Sequence, residues 1–191
     1  MEVLEAIKTR RSIRHYKPDP VDDETLRKVL EAAQWAPSWA NVQCWRFIVV
    51  RDNNIKVELA NSLVKTVKKP DGAVYNPAFN AITQAPVVII ACAELGRSGI
   101  SPDGTPDTDK GDWFMFDVAL AMQNLALAAH ALGLGTVIVG ALDTKKAADI
   151  LHVPAGYCVV AMTPLGFPAR EGKAPPRKEL TDIVFYNKFG H

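Results

Sequence analysis

The chain has 191 residues, 48% apolar and 23% charged, and its 22 Lys and Arg nearly balance 21 Asp and Glu for a formal net charge of +1. That length suits one well-cored domain, expected to run over residues 1–191, and the neutral balance argues against a general nucleic-acid binder, whose whole domain is ordinarily basic. The cysteines Cys44, Cys92 and Cys158 are widely spaced and odd in number, which gives neither a disulfide framework nor a paired metal motif.

The opening MEVLEAIKTRR has no apolar signal core, so a reducing cytoplasm is the expected location. Val3, Leu4 and Ile7 mark one face of a first helix ending near Arg10. It runs into KTRRSIRHYK, Lys8 to Lys17, in which six of ten residues are basic, counting His15, and none is acidic. Cations at a helix C-terminus are favourable by roughly 0.3–1 kcal/mol, which accounts for one or two of them. The alternation of Arg10, Ser12 and Arg14 is a separate feature. In an extended segment it points two guanidinium groups and a hydroxyl the same way, the makings of a phosphate clamp.

Pro18 and Pro20 predict an extended link, and Asp22 a cap for a second helix whose apolar positions are Leu26, Val29, Leu30 and Ala33, closed by Pro37. WAPSWANVQCWRF, Trp35 to Phe47, carries three tryptophans, with Ser38, Asn41 and Gln43 as uncharged donors and acceptors between them. That mixture suits a flat heteroaromatic ring with carbonyls and ring nitrogens. WRFIVV reads as a strand, Asn53 to Val67 as a surface helix, and PVVIIACA as a buried strand. Leu95 to Asp112, rich in Gly, Pro, Asp and Ser, reads as a long irregular loop, either functional or a surface excursion.

A long apolar helix follows, starting near Asp112 or Asp117 and running to about Leu132. From Val118 to Leu142 there is no formal charge, enough length to span a bilayer. Gln123, Asn124 and His130 interrupt it, and Gly133 and Gly135 break it, so a buried helix is expected and no membrane span. A helix apolar on nearly every face needs more cover than a small domain supplies, which predicts a homodimer. GTVIVG reads as a third strand, Lys145 to Leu151 as a short helix, YCVVAMTPLG as a fourth strand, and DIVFY near the C-terminus as a last one. The interleaving predicts a mixed α/β (α+β) domain in which helices flank a small central sheet.

Several motifs are excluded. GLGTVIVG follows a helix and precedes a strand, the reverse of a dinucleotide fingerprint. There is no P-loop, HExxH, GxSxG or His/Cys cluster with metal spacing, so no metal is expected. His130 has no partner at helical spacing and reads as a satisfied or interface histidine. No nucleophile and base pair stands out, and the catalytic residues stay unassigned.

Four stretches together resemble the FMN-dependent nitroreductase family: RRSIRHY, APSWANVQCWRF, NLALAAHALGLGTVIVGAL, and PLGFP followed by PPRKEL. They cover nearly the whole chain in family order. The resemblance implies a nitroreductase-like fold with the long helix at a dimer interface. It implies FMN as cofactor and NAD(P)H as electron donor, with nitroaromatics or quinones accepting hydride by a ping-pong mechanism. Carried over by position, Arg10, Arg11, Ser12 and Arg14 would contact the flavin phosphate, ribityl chain or pyrimidine edge. Pro37, Ser38, Asn41 and Gln43 would reach the flavin from the partner subunit. Gly140 and Ala141 would lie near its N5, and Arg177 would be a second phosphate ligand. Cys44 stands where the family usually has Pro, implying a less rigid loop, and the family's central Asn/Lys contacts match only Asn80, poorly. Alternatives are dehalogenation or flavin cleavage on the same fold, a non-catalytic flavin carrier, and a nucleic-acid module built on the basic cluster and tryptophans.

Overall fold

The structure is a computed structural model and describes residues 1–190. Its central strand β4 (Val87–Glu94) is buried along almost its whole length, which explains an apolar run without alternation. Val88, Ile90 and Cys92 face one layer while Val87, Ile89 and Ala91 face the other. β1 (Trp45–Val50) and β6 (Tyr157–Gly166) pair antiparallel on its two sides, and β5 (Gly135–Thr136) pairs with β6, giving the order β1-β4-β6-β5.

Helices cover both faces, as the sequence pattern predicts. α2 (Asp23–Gln34) and α5 (Phe114–Ala131) close one face: Leu26, Val29, Ala33, Val118, Ala121 and Leu125 pack on Val87, Ile89 and Leu165. α3 (Asn53–Ala60), α4 (Phe79–Gln84) and α6 (Thr144–Ile150) close the other, where Leu59, Ile82 and Ala147 meet Val88, Ile90 and Met162. Asp22, Asp52 and Asp143 cap α2, α3 and α6 by accepting backbone N–H groups of the first turn. α5 has the length and composition of a membrane-crossing helix, but Val118, Ala121, Met122, Leu125 and Ala129 lie in the core. Its opposite side, including Phe116, Ala119 and Gln123, is open in the single chain.

Three sequence expectations are corrected. The helix expected over residues 53–67 ends at Ala60, where Asn61 takes the C-cap, and Val67–Lys68 instead forms β2, a two-residue strand against β3 (Val74–Tyr75). Of GTVIVG only Gly135–Thr136 is strand, with one further bridge at Val139 to Met162. DIVFY forms no strand: Leu180–Asp182 is a single 3₁₀ turn, and Ile183 to Tyr186 are exposed and irregular, with no core face to bury.

α1 (Val3–Thr9) leads into the basic stretch, which docks as an extra edge beside β5. Ser12 bridges Thr136 in parallel, and the Ile13 N–H donates to the Thr136 carbonyl at 2.9 Å. A Cβ on Gly135 would meet the Ile13 side chain at 2.7 Å, so only glycine lets the stretch lie this close. The other side of the stretch is tied to the segment after β6, with Lys17 N–H donating to Phe167 O and Ala169 N–H to His15 O.

Candidate functional site

The extended geometry assumed for Arg10, Ser12 and Arg14 holds. Ile13 turns inward and is buried, while Ser12 and Arg14 turn out and Arg10 is half-buried at the end of α1. Among the described residues no carboxylate pairs with Arg10, Arg14 or Arg177. Uncommitted guanidinium groups fit an anionic ligand. Arg11 has a different occupation. Its Nη1 donates to the carbonyls of Lys8 and Arg10, each at 2.7 Å, and so caps the C-terminal end of α1. Gly172 of the tail lies directly over the Arg11 side chain, at a distance a Cβ would close to 2.5 Å.

His130, in the last turn of α5, reaches the same end. Its Nε2 lies 2.8 Å from Thr9 Oγ1. The Thr9 hydroxyl donates to Glu5 O at 2.7 Å, so the imidazole is the donor of the pair. Burial first, then the charges of Arg10 and Arg11, hold the His130 pKa below its usual value. With Arg11, Ile13 and Gly172, these side chains line a cleft of about 460 Å³.

Gly140 and Ala141 lie four and five residues beyond Thr136, on the same run of chain as the partner of Ser12. Their carbonyls are taken: Leu142 N–H donates to Gly140 O, and Val64 N–H and Asn76 Nδ2 donate to Ala141 O. Among the described residues neither of their own N–H groups has a backbone acceptor, and Gly140 is open to solvent. Two free backbone donors suit a ring nitrogen or carbonyl. Asn76, which sequence reasoning passed over, is buried and fixes this turn, donating to Val64 O at 2.7 Å and accepting from Ala78 N–H. The Asn76-Pro77 pair was the available signal. Asn80, by contrast, is an exposed residue of α4. Arg177 is exposed in the irregular tail, five residues beyond Gly172.

Pro37, Ser38, Asn41 and Gln43 gather elsewhere. Ser38 Oγ accepts the Gln43 N–H at 3.0 Å, leaving the hydroxyl proton free, and Gln43 Nε2 donates to Asn41 Oδ1 at 3.2 Å. Ala40, Asn41 and Gln43 have φ of 42°, 57° and 48°, left-handed backbone that costs non-glycine residues about 1 kcal/mol each. Pro37, Asn41 and Gln43 line a cavity of about 440 Å³ beside the exposed Trp35. A second cavity of about 230 Å³ lies between Ser38, Trp39, Trp113 and Phe116, with the Trp39 and Trp113 rings 5.3 Å apart.

The two groups sit at opposite ends of α5. The Trp39 N–H donates to Asp117 on the first turn, and Thr9 meets His130 on the last. At 1.5 Å per residue those anchors are about 20 Å apart. A single chain therefore carries a cationic cluster at one end of α5 and a neutral polar cluster at the other, two candidate half-sites.

The nitroreductase family profile matches residues 7–167. A Methanothermobacter thermautotrophicus protein inferred to be an NADH dehydrogenase/NAD(P)H nitroreductase is 34% identical over 186 residues, covering 95% of this chain and 84% of its own length. The 5,6-dimethylbenzimidazole synthase of Rhodospirillum rubrum is 30% identical over 183 residues, covering 90% and 84%. Among solved structures, one from Desulfovibrio desulfuricans in complex with FMN superposes with a TM-score of 0.75 at 31% identity, covering 99% of this chain and 98% of that one.

Proposed function

The chain belongs to the nitroreductase family, and we propose that residues 1–191 form a single FMN-binding domain, which acts as an NAD(P)H-dependent oxidoreductase in a homodimer whose two sites are each built from both subunits. The observation that carries this reading is the separation of the half-sites along α5. If two α5 helices pack antiparallel through their open apolar sides, the first turn of each meets the last turn of the other. Two-fold symmetry then completes two equivalent sites.

FMN, when bound, would supply the two-electron redox chemistry, with NAD(P)H as donor and a nitroaromatic, quinone or similar molecule as acceptor in ping-pong order. The chain's residues do the rest. Arg10, Ser12 and Arg14 hold the phosphate and ribityl portion, with Arg177 as a further cation from the tail. Arg14 is the candidate to stabilise negative charge at the pyrimidine edge. Gly140 and Ala141 present N–H donors toward the ring. Pro37, Ser38, Asn41 and Gln43 close over it from the partner and exclude water. The segment from Leu95 to Asp112 borders the cleft and tunes acceptor choice. The three free cysteines are in keeping with a cytoplasmic enzyme.

Anaerobic titration of the purified protein tests this reading. NAD(P)H should bleach the flavin bands at one equivalent per flavin, and a quinone or nitroaromatic should restore them. Flavin that stays oxidised with both NADH and NADPH would leave only a carrier. The identity to 5,6-dimethylbenzimidazole synthase favours one second reading, flavin fragmentation, which would appear as benzimidazole product and bands that never return.

A further inference from the structure

Asp117 is 1% exposed on the first turn of α5, and among the described residues no cation pairs with it. A buried carboxylate without a counter-ion is tolerable only if hydrogen bonds compensate. Here the donors come from two separate segments. The Ser98 hydroxyl donates to Oδ2 at 2.6 Å, the Cys44 thiol donates to Oδ2 at 3.7 Å, and the Trp39 N–H lies 3.1 and 3.3 Å from the two oxygens. Trp39 and Cys44 bracket the strained turn of Ala40, Asn41 and Gln43. Ser98, itself fully buried, lies within the stretch from Leu95 to Asp112, and its carbonyl accepts the Trp113 N–H at 2.8 Å.

The thiol is suited to this use. Burial first, then the charge of Asp117, push the Cys44 pKa up to about 12, so it stays a donor. A proline there would have no donor to offer. Left-handed backbone persists only where its surroundings hold it, and this turn has Asp117 at both ends.

We infer that Asp117 is a positioning residue that locks the loop carrying Ser38, Asn41 and Gln43 to the segment from Leu95 to Asp112, so that the two shift as one unit. The inference rests on the proposed function only for what the loop contacts. The consequence is that a change at Ser98, which lies outside the candidate flavin contacts, reaches the flavin through Asp117.

Two single variants, their combination and the conservative Ser98→Thr, all full-length, test it. Asp117→Asn keeps the shape but loses the charge and sets an amide NH2 where one acceptor oxygen stood; Ser98→Ala removes one hydroxyl from the far segment. Amide exchange, read without added FMN, should be about tenfold faster at Trp39 in both, while Leu125 in the core of α5 keeps the parent rate. Ser98→Thr should restore the Trp39 rate. FMN titration should show affinity about tenfold weaker in Asp117→Asn and about threefold weaker in Ser98→Ala, with the double variant no weaker than Asp117→Asn alone. An unchanged Trp39 rate in Ser98→Ala overturns the inference, as does uniform acceleration through α5. If the parent bound no FMN, the proposed function would fall while the exchange result still decided the lock.

Discussion

Placing glutamate at both Ala119 and Gln123 should yield a folded monomer that binds FMN at least a hundredfold more weakly than the parent. Both positions are exposed in the single chain, so the fold itself tolerates charge there. They lie one turn apart near the middle of α5, and antiparallel packing sets the middle of a helix against its own counterpart. Four carboxylates would then be buried together, a cost that desolvation and like-charge repulsion make prohibitive. An interface of this kind is expected to bury about 2,000 Å² or more, and sedimentation at low micromolar concentration should show the parent as one dimeric species. The loss of flavin follows because the two half-sites that a monomer carries lie at opposite ends of α5 and do not combine into one site. A monomeric variant with parental FMN affinity would place the whole site within one chain.

The second large effect concerns the cationic half-site. Hydrogen bonds to charged groups contribute roughly 1.5–3 kcal/mol each, so Arg10→Ala or Arg14→Ala should weaken FMN by about ten- to a hundredfold in a fluorescence-quenching titration. Stability should change little, because neither guanidinium takes part in an ion pair within the described structure. Arg11→Ala should behave in the opposite way. Its guanidinium caps α1 through the Lys8 and Arg10 carbonyls, so its removal should lower the melting temperature more than it weakens FMN. Equal, small effects on FMN in Arg10→Ala and Arg14→Ala would remove the clamp from the account.

The contrast between Arg11 and its neighbours marks how far the sequence could be read. Alternation along Arg10, Ser12 and Arg14 is a property of extended backbone, so their shared face was legible once Pro18 and the end of α1 excluded a helix. What the intervening arginine does was not, because its partners are main-chain carbonyls that carry no sequence signal. The central sheet was legible for the same kind of reason: PVVIIACA has no polar position and fits only a strand covered on both faces. GTVIVG resembles it in composition but pairs with β6 only at Gly135–Thr136 and again where Val139 bridges Met162; the ladder is interrupted at Val137 and Ile138, and Ile138 is exposed. Residues 61–67 kept a helical composition, yet Leu63 bridges Leu142 and Val64 bonds Ala141, and such long-range contacts override weak local propensity.

Asp117 shows the same limit within the site. From sequence it was one of two acids near a helix start. Its importance comes from donors 19, 73 and 78 residues away in the chain, which only the fold brings together. Asn76 is similar: its Asn-Pro pair signals a turn, but the turn it steadies belongs to Ala141.

The central claim, that each flavin site joins the cationic stretch of one subunit to the polar loop of the other, is tested most directly by complementation. One chain carries Arg10→Ala with Arg14→Ala; the other carries Ser38→Ala, Asn41→Ala and Gln43→Ala. Each homodimer has two defective sites. Co-expressed with different affinity tags and purified as the mixed dimer, the pair should bind one FMN per dimer at parental affinity, since one site then draws both intact halves and the other draws both defective ones. A mixed dimer with no site of parental affinity, in which every flavin binds as weakly as in one parent variant or the other, would show that the two halves serve the flavin of their own chain and would contradict the account.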